Sequence, residues 1–383
     1  MKKIALIGST GSIGRQTVDV VLRHPDRFCV VALAADRNET LLAEQAALLR
    51  PQIAVLRSEG REVGMPEGVR FSRGEGAFEA ACAFPEADIV VVAVTGFAGL
   101  KAALLAIGAG KAVALANKES LVAGGELLLG EAARRGVNVC PVDSEHSAIW
   151  QCLHFDRGAP YTRILLTASG GALRDMPLED LPKVTPAQAL AHPTWKMGPK
   201  ITIDCATMLN KGFEVIEAMR LYGAAPEQVE VIVHRESIVH SLVEFADGAL
   251  LAQMSLPSME LPIQLALTYP ERLDAGLSRL DLCALGALHF EAPDLRRYPC
   301  LRLSLESARA GGLYPAALGG AGEVAVEAFL NGQIKYTDIA DIIECALGAC
   351  EGGAADSYAH IAAADAAARA AARAQVKRIA EGK

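Results

Sequence analysis

Several short clusters carry residue types that can do chemistry. Asp143-Ser144-Glu145-His146 places two carboxylates at i and i+2, and in an extended or turning segment both can point toward one hard cation such as Mg²⁺ or Mn²⁺. Asn117-Lys118-Glu119-Ser120 sets an amide, a cation and a carboxylate at another strand end. Asn210, Lys211 and Glu214 open a helical stretch, where residues three or four apart share a face. A lysine and an amide near a helix start suit a phosphate, and Glu214 can complete a metal site. Ala168-Ser169-Gly170-Gly171 is a turn able to present backbone N–H groups to an anion. Standing alone, the first cluster reads as a solvated acidic loop and the third as a surface Lys–Glu pair. Together they argue for a site.

A further motif, Gly8-Ser9-Thr10-Gly11-Ser12-Ile13-Gly14, follows the first apolar run directly and precedes a helical pattern. Glycines there let the backbone approach a pyrophosphate, and the helix start favours its charge. The spacing is Gly-x-x-Gly-x-x-Gly rather than the dehydrogenase Gly-x-Gly-x-x-Gly. About twenty residues on, Asp36-Arg37-Asn38 pulls two ways. An acidic residue at that point suits a ribose 2′-OH and NAD. Arg37 suits a 2′-phosphate and tilts the reading toward NADP.

These clusters need elements to position them. Near-continuous apolar runs at 4–7, 29–33, 53–56, 88–94, 112–116 and 137–142 read as parallel strands covered on both faces, alternating with helices such as 16–23 and 41–49. The fold class expected is α/β: a doubly wound Rossmann-like sheet, then an α+β domain, then a helical bundle. In the middle, 164–167 and 201–204 read as strands, 207–221 as a helix, and 229–234, 238–245 and 249–254 as strands with Asp247-Gly248 turning a hairpin. Residues 175–199 hold prolines at 177, 182, 186, 193 and 199 and read as a lid or a disordered stretch, its exposed Trp195 and Met197 suited either to closing over a ligand or, equally, to anchoring the segment to the core. Helices are expected at 301–310, 323–330, 337–346 and 354–379.

The 383 residues include 37 basic and 45 acidic side chains, for a net charge of −8. That balance argues against a general nucleic-acid or membrane-surface binder. Nine cysteines without a Cys-x-x-Cys pair suggest reduced thiols and a cytoplasmic protein. Met1-Lys2-Lys3 before Ile4–Ile7 fails as a signal peptide because the apolar run is too short, and no run reaches the length of a membrane helix.

In combination the segments Gly8–Gly14, Asn117–Ser120, Pro141–His146, Ala168–Gly171, His192-Pro-Thr-Trp195 and Ala206–Gly212 resemble the 1-deoxy-D-xylulose 5-phosphate reductoisomerase family, in its order and from Lys3 to about Leu330. The resemblance implies an NADPH-binding domain at 1–142, a catalytic and dimerising domain at 143–271, a connecting segment at 272–299 and a helical domain at 300–383. It implies a homodimeric enzyme of the non-mevalonate isoprenoid pathway. With NADPH and a divalent cation (Mn²⁺, Mg²⁺ or Co²⁺), such an enzyme rearranges 1-deoxy-D-xylulose 5-phosphate and reduces the product to 2-C-methyl-D-erythritol 4-phosphate. By the same resemblance Asp143, Glu145 and Glu214 bind the metal and, with Lys118, form the catalytic set. Lys118, Ser144, Glu145, Glu214 and His192 meet the substrate, while Ser169, Asn210, Lys211 and the residue at Cys205 hold its phosphate. Thr10, Gly11, Ser12, Ile13, Asp36, Arg37, Asn38, Asn117, Glu119 and Gly198 meet the cofactor.

The chain departs from the family pattern at five places. Asp36 stands for a small or amide residue and Cys205 for a serine. Arg235 stands for a proline, Pro257-Ser-Met-Glu260 lacks an Asp and a basic residue, and Gly319-Gly-Ala-Gly-Glu323 lacks two asparagines. Two other classes compete with the resemblance. An NADP-dependent dehydrogenase acting on another phosphorylated or acidic substrate leaves the carboxylate trio without a task. A non-catalytic NADP-binding regulator leaves Lys118 and the phosphate cluster unexplained as well.

Overall fold

The computed structural model describes residues 1–59, 64–154 and 160–382; Lys383, the end of the expected helical domain, lies outside them. In chain order the first elements are β1 (Lys2–Ile7), α1 (Ser12–Arg23), β2 (Phe28–Ala35), α2 (Glu39–Leu49), β3 (Ile53–Leu56), β4 (Arg70–Arg73), α3 (Glu75–Cys82), β5 (Ile89–Val92), α4 (Ala98–Gly108), β6 (Ala112–Leu115), α5 (Lys118–Arg135), β7 (Val139–Pro141) and α6 (Ser144–Leu153). There follow β8 (Tyr161–Ala168), α7 (Pro186–Ala189), α8 (Pro199–Ala206), α9 (Leu209–Tyr222), β9 (Val229–Val233), β10 (Val239–Phe245), β11 (Leu250–Met254), α10 (Glu260–Thr268), α11 (Leu282–Leu285), α12 (Pro299–Ala310), α13 (Tyr314–Leu330), α14 (Asp338–Gly348) and α15 (Tyr358–Glu381). The chain divides into two units: 1–120, 128–147 and 258–277 form one, and 121–127, 148–257 and 278–383 the other.

In the first unit, seven strands among the described residues form one sheet in the order β4-β3-β2-β1-β5-β6-β7. Every pairing is parallel. The apolar runs are the reason: β5 is Ile-Val-Val-Val and buried at every position, as a strand covered on both faces must be. The order reverses between β1 and β5, which opens a crevice at their carboxyl ends. The returning segment 258–277 is fastened to α1 by the Arg23–Glu260 ion pair and to β1 by Lys2 Nζ donating to Leu267 O at 2.6 Å. β4 was not expected; its Arg-Phe-Ser-Arg sequence lacks an apolar run.

The second unit is built on a four-stranded mixed sheet, β11-β10-β8-β9, antiparallel except for β8 with β9. Val215, Ala218 and Met208 of the α9 region pack on it with Ile164, Leu166 and Val243. A second core joins α8, α9 and the helices α12 to α15. Two expectations are corrected here. Residues 201–204 belong to α8, not to a strand: Pro199 sits in the first turn, Thr202 Oγ1 bonds Gly198 O four residues back, and Ile203 is fully buried. β-branched propensity is overridden by burial of one helical face. The stretch 175–190 is not irregular either. It holds a 3₁₀ turn at Leu178–Lys183 and α7, capped by Thr185 and Gln188, and it buries Leu181, Val184 and Ala189 in the second core. α13 begins at Tyr314, earlier than the glycines at 319, 320 and 322 suggest. No helix among the described residues is long and apolar enough to cross a membrane.

Candidate functional site

The Gly8–Gly14 turn lies at the carboxyl end of β1, at the sheet's reversal point. Gly8 adopts φ +91°, and a Cβ on it would stand 2.5 Å from Ala93 O, the residue that follows β5. A Cβ on Gly14 would stand 2.2 Å from Gly8 O. Glycine is therefore required for the turn to close this tightly. Gly8 N and Ser9 N both donate to Ala34 O, and buried Gln45 donates to Ser9 O at 2.8 Å. No acidic residue occupies the first turn of α1, so the positive end of the helix dipole is left for an anion. Thr10, Gly11, Ser12 and Ile13 are the residues of this turn.

At the end of β2, Arg37 Nε is 3.2 Å from Asp36 Oδ2, and both side chains are exposed. Asn38 caps α2, accepting from Leu41 N at 3.1 Å. Asn117 is buried and caps α5: its Oδ1 accepts from Ser120 N, while its Nδ2 donates to Val94 O, Gly96 O and Glu119 Oε2. The start of α5 is thereby tied to the loop after β5, which fixes the neighbouring Lys118.

Lys118 Nζ lies 2.5 Å from Asp143 Oδ2, both groups nearly inaccessible. Asp143 Oδ1 accepts from Ser144 N at 2.9 Å, and the Ser144 hydroxyl donates to Glu145. His146, fully buried, has Nδ1 3.8 Å from Asp143 Oδ2. A lysine and two carboxylates gathered at strand ends form a hard-oxygen donor set with its own counter-charge. That set suits a small divalent cation.

The second unit holds the other candidates. Asn210 and Glu214 share one face of α9, with Nδ2 to Oε1 at 2.5 Å, and Lys211 forms an ion pair with the other oxygen of Glu214. All three are buried, which removes the surface-pair reading. Ser169 follows β8, and His192 Nε2 approaches its Oγ at 3.0 Å. His192 Nδ1 accepts from Thr194 N and Trp195 N, so Nε2 carries the hydrogen and donates to Ser169. Burial, with Arg174 nearby, holds the His192 pKa below the ordinary histidine value, in keeping with this neutral tautomer. Gly171 N also donates to Ser169 Oγ, at 3.2 Å. The Ser169 hydroxyl therefore has two donors on it and its own hydrogen left to give. A Cβ on Gly171 would lie 2.6 Å from Cys205 O, so the Ser169 turn sits directly against α8 and half-buried Cys205.

Gly198 caps α8 and is exposed. Trp195 and Met197 are half-buried rather than exposed, and the Trp195 ring lies 6.3 Å from that of His240. Sequence reasoning missed Gln45, Arg174 and His240. Gln45 breaks the apolar face of its helix, which was a usable signal. Nothing in the local sequence marks Arg174, which meets the backbone at Ser169 and Arg235, or His240, which meets Ser255.

Three family models match the chain. They are 1-deoxy-D-xylulose 5-phosphate reductoisomerase over residues 4–125, that enzyme's C-terminal domain over 139–222, and DXP reductoisomerase C-terminal domain over 254–371. Relatives named 1-deoxy-D-xylulose 5-phosphate reductoisomerase include that of Moorella thermoacetica, 52% identical with 89% of this chain and 90% of the relative covered. That of Cupriavidus metallidurans is 48% identical over 99% of this chain and 100% of the relative. The Zymomonas mobilis enzyme solved with NADPH superposes with a TM-score of 0.89 at 40% identity, covering 98% and 99% of the two chains. A DOX-P reductoisomerase solved with NADPH, fosmidomycin and magnesium gives 0.92 at 36% identity, covering 98% of each chain.

Proposed function

Since the chain belongs to the 1-deoxy-D-xylulose 5-phosphate reductoisomerase family, we propose that it converts 1-deoxy-D-xylulose 5-phosphate to 2-C-methyl-D-erythritol 4-phosphate with NADPH and a divalent cation, in isoprenoid biosynthesis. The observation that carries this is the match at about half identity over nearly the whole of both chains. The residues present fit both groups. The glycine turn packs its backbone too closely on Ala93 and on itself for a Cβ at Gly8 or Gly14, a tight turn at a helix start that suits a pyrophosphate, and the carboxylates supply hard oxygen ligands.

In this reading Asp143, Glu145 and Glu214, whose carboxylate oxygens lie within 4.8 Å of one another, would hold the cation, which as a Lewis acid would polarise the substrate carbonyl. Lys118, fixed beside Asp143 by the Asn117 cap, meets the substrate's oxygens with Ser144 and His192. Ser169, Cys205, Asn210 and Lys211 receive the phosphate, an anchor remote from the reacting carbons. Thr10, Gly11, Ser12 and Ile13 would receive the pyrophosphate of NADPH, and Asp36, Arg37 and Asn38 would stand near its adenosine phosphate; the cofactor would supply the hydride. Asn117, Glu119 and Gly198 complete its surroundings.

The same reading divides the chain at 142, 271 and 299 into NADPH-binding, catalytic, connecting and helical parts, makes the enzyme a homodimer, and places it in the cytoplasm. All nine cysteines are free thiols, which supports a reducing compartment. The test is NADPH oxidation with 1-deoxy-D-xylulose 5-phosphate, with and without Mn²⁺. Metal-dependent turnover is expected. Turnover indifferent to chelator, or none with this substrate, overturns the assignment. Size-exclusion chromatography with light scattering tests the dimer.

A further inference from the structure

The loop that follows β8 is held by side chains from far along the chain, and it is held by its carbonyls. Tyr298 Oη donates to Gly170 O at 2.9 Å. Arg297 Nη1 donates to Leu173 O at 3.0 Å and to Met176 O at 2.6 Å. Arg174 Nη1 donates to Ser169 O at 2.7 Å. Four carbonyls between 169 and 176 are thus turned toward two arginines and a tyrosine. Tyr298 is 3% exposed, and burial pushes its phenol up to about 12, so it stays a neutral donor at any working pH.

A loop with two consecutive left-handed residues, Gly170 (φ 80°) and Gly171 (φ 71°), has little intrinsic preference for one shape. Its shape must come from outside. Charge-assisted bonds from a planar guanidinium to carbonyl oxygens are strong and directional. Turning the carbonyls of 169, 170, 173 and 176 onto Arg174, Tyr298 and Arg297 leaves the Ser169 hydroxyl to be oriented by Gly171 N and His192.

We propose that Arg297 and Tyr298 are positioning residues for phosphate recognition: by clamping the carbonyls of Gly170, Leu173 and Met176 they fix the Ser169 turn so that its hydroxyl is delivered to the phosphate of the substrate. The proposal rests on the reading of Ser169 as a phosphate contact. Neither residue touches the substrate; both act through the loop. The sequence gives no hint of it, since 121 residues or more separate the clamps from what they hold.

The test uses the whole enzyme with Tyr298→Phe, Arg297→Met and Arg297→Lys. For the first two, KM for 1-deoxy-D-xylulose 5-phosphate should rise about ten-fold with kcat changed less than two-fold, the signature of lost uniform binding. Competitive inhibition by inorganic phosphate should weaken in parallel. The KM for NADPH and the Mn²⁺ concentration for half activity should stay put. Arg297→Lys, which keeps a charged donor, should recover part of the loss. Unchanged substrate KM and phosphate inhibition overturn the proposal. So does a fall in kcat together with a raised NADPH KM and a raised Mn²⁺ requirement, which marks general disruption of the region. If the wild-type enzyme fails to turn over this substrate, the proposed function falls. Calorimetric titration of wild type and variants with inorganic phosphate then still decides the clamp: weaker binding in Tyr298→Phe and Arg297→Met supports it, and equal binding overturns it.

Discussion

The glycine turn after β1 and the serine turn after β8 are both candidates for holding a phosphate group, yet they are made differently. The first is shaped by close backbone approach. Gly8 and Gly14 are required because Ala93 O and Gly8 O lie where a Cβ would be, and the strand, turn and helix are contiguous. The second is shaped by partners: Tyr298, Arg297 and His192 come from 23 to 128 residues away. A backbone-made site tolerates no side chain at its glycines, whether the opposing backbone is near, as Gly8 O is to Gly14, or distant in the chain, as Ala93 O is to Gly8. A side-chain-made site depends on distant donors, and it can be tuned by changing any of them.

That contrast can be broken experimentally, the largest effect first. Asp143→Asn should cut turnover by roughly 10³-fold, since several kcal/mol of charge stabilisation by a bound cation is at stake. NADPH affinity, read by fluorescence titration, should be unchanged. Near-normal turnover in metal-limited buffer would remove Asp143 from the metal set. Gly14→Ala should do the reverse. Forcing a methyl against Gly8 O and Ser9 O costs roughly 3 kcal/mol, about a hundredfold in NADPH affinity, with phosphate inhibition untouched. An alanine variant that binds NADPH normally would show that the turn can open.

Acid should act on the second site. Burial holds His240, beside Ser255, Lys211 and His234, at about 4, and holds His192 below its ordinary value. Both pKa values are depressed, so the folded state disfavours protonation that the unfolded chain accepts. Their contribution is whole above the unfolded value near 6.5 and is lost as pH falls toward 4. For His240 this amounts to at most about 3 kcal/mol. Thermal melts from pH 7 to 4.5 should decline, and His240→Gln should flatten the slope. An identical slope in that variant would assign the acid sensitivity elsewhere.

Two smaller effects sharpen the comparison. Cys205→Ser replaces a weak thiol donor with a hydroxyl and should lower the substrate KM several-fold with kcat nearly constant. No change in KM would make Cys205 a packing residue. Arg37→Ala should raise the KM for NADPH a few-fold and spare that for NADH. Its charge is exposed and already shared with Asp36, so solvent screening keeps the effect small. Equal effects on the two cofactors would make Arg37 a solvated surface charge with no part in cofactor choice.

Asp143, Glu145, Lys118 and the 210–214 cluster were legible because their residue types are chemically distinctive and stand at strand or helix ends. The expectation of exposed Trp195 and Met197 failed, and so did the strand at 201–204, for a shared reason. Both depend on which face meets the core, and a local window holds no record of that. Likewise the burial of Lys211 and Glu214 is visible only once α9 is packed among β8, α8 and α12. Gly212 shows how tightly: a Cβ there would fall 2.2 Å from Ser304 Cβ.

By itself the sequence determined the parallel sheet, through continuous apolar runs, and the glycine turn at the end of β1, where Gly14 is required by the nearby Gly8 O. It also determined the inventory of carboxylates, lysines and hydroxyls. Tertiary structure alone decided which of these are buried, which histidine nitrogen carries the hydrogen, and which distant arginine and tyrosine hold the serine turn in shape. The physical reason is range. The contact of Gly14 with Gly8 O acts within a few residues, whereas desolvation and side-chain hydrogen bonds depend on neighbours that only folding brings together.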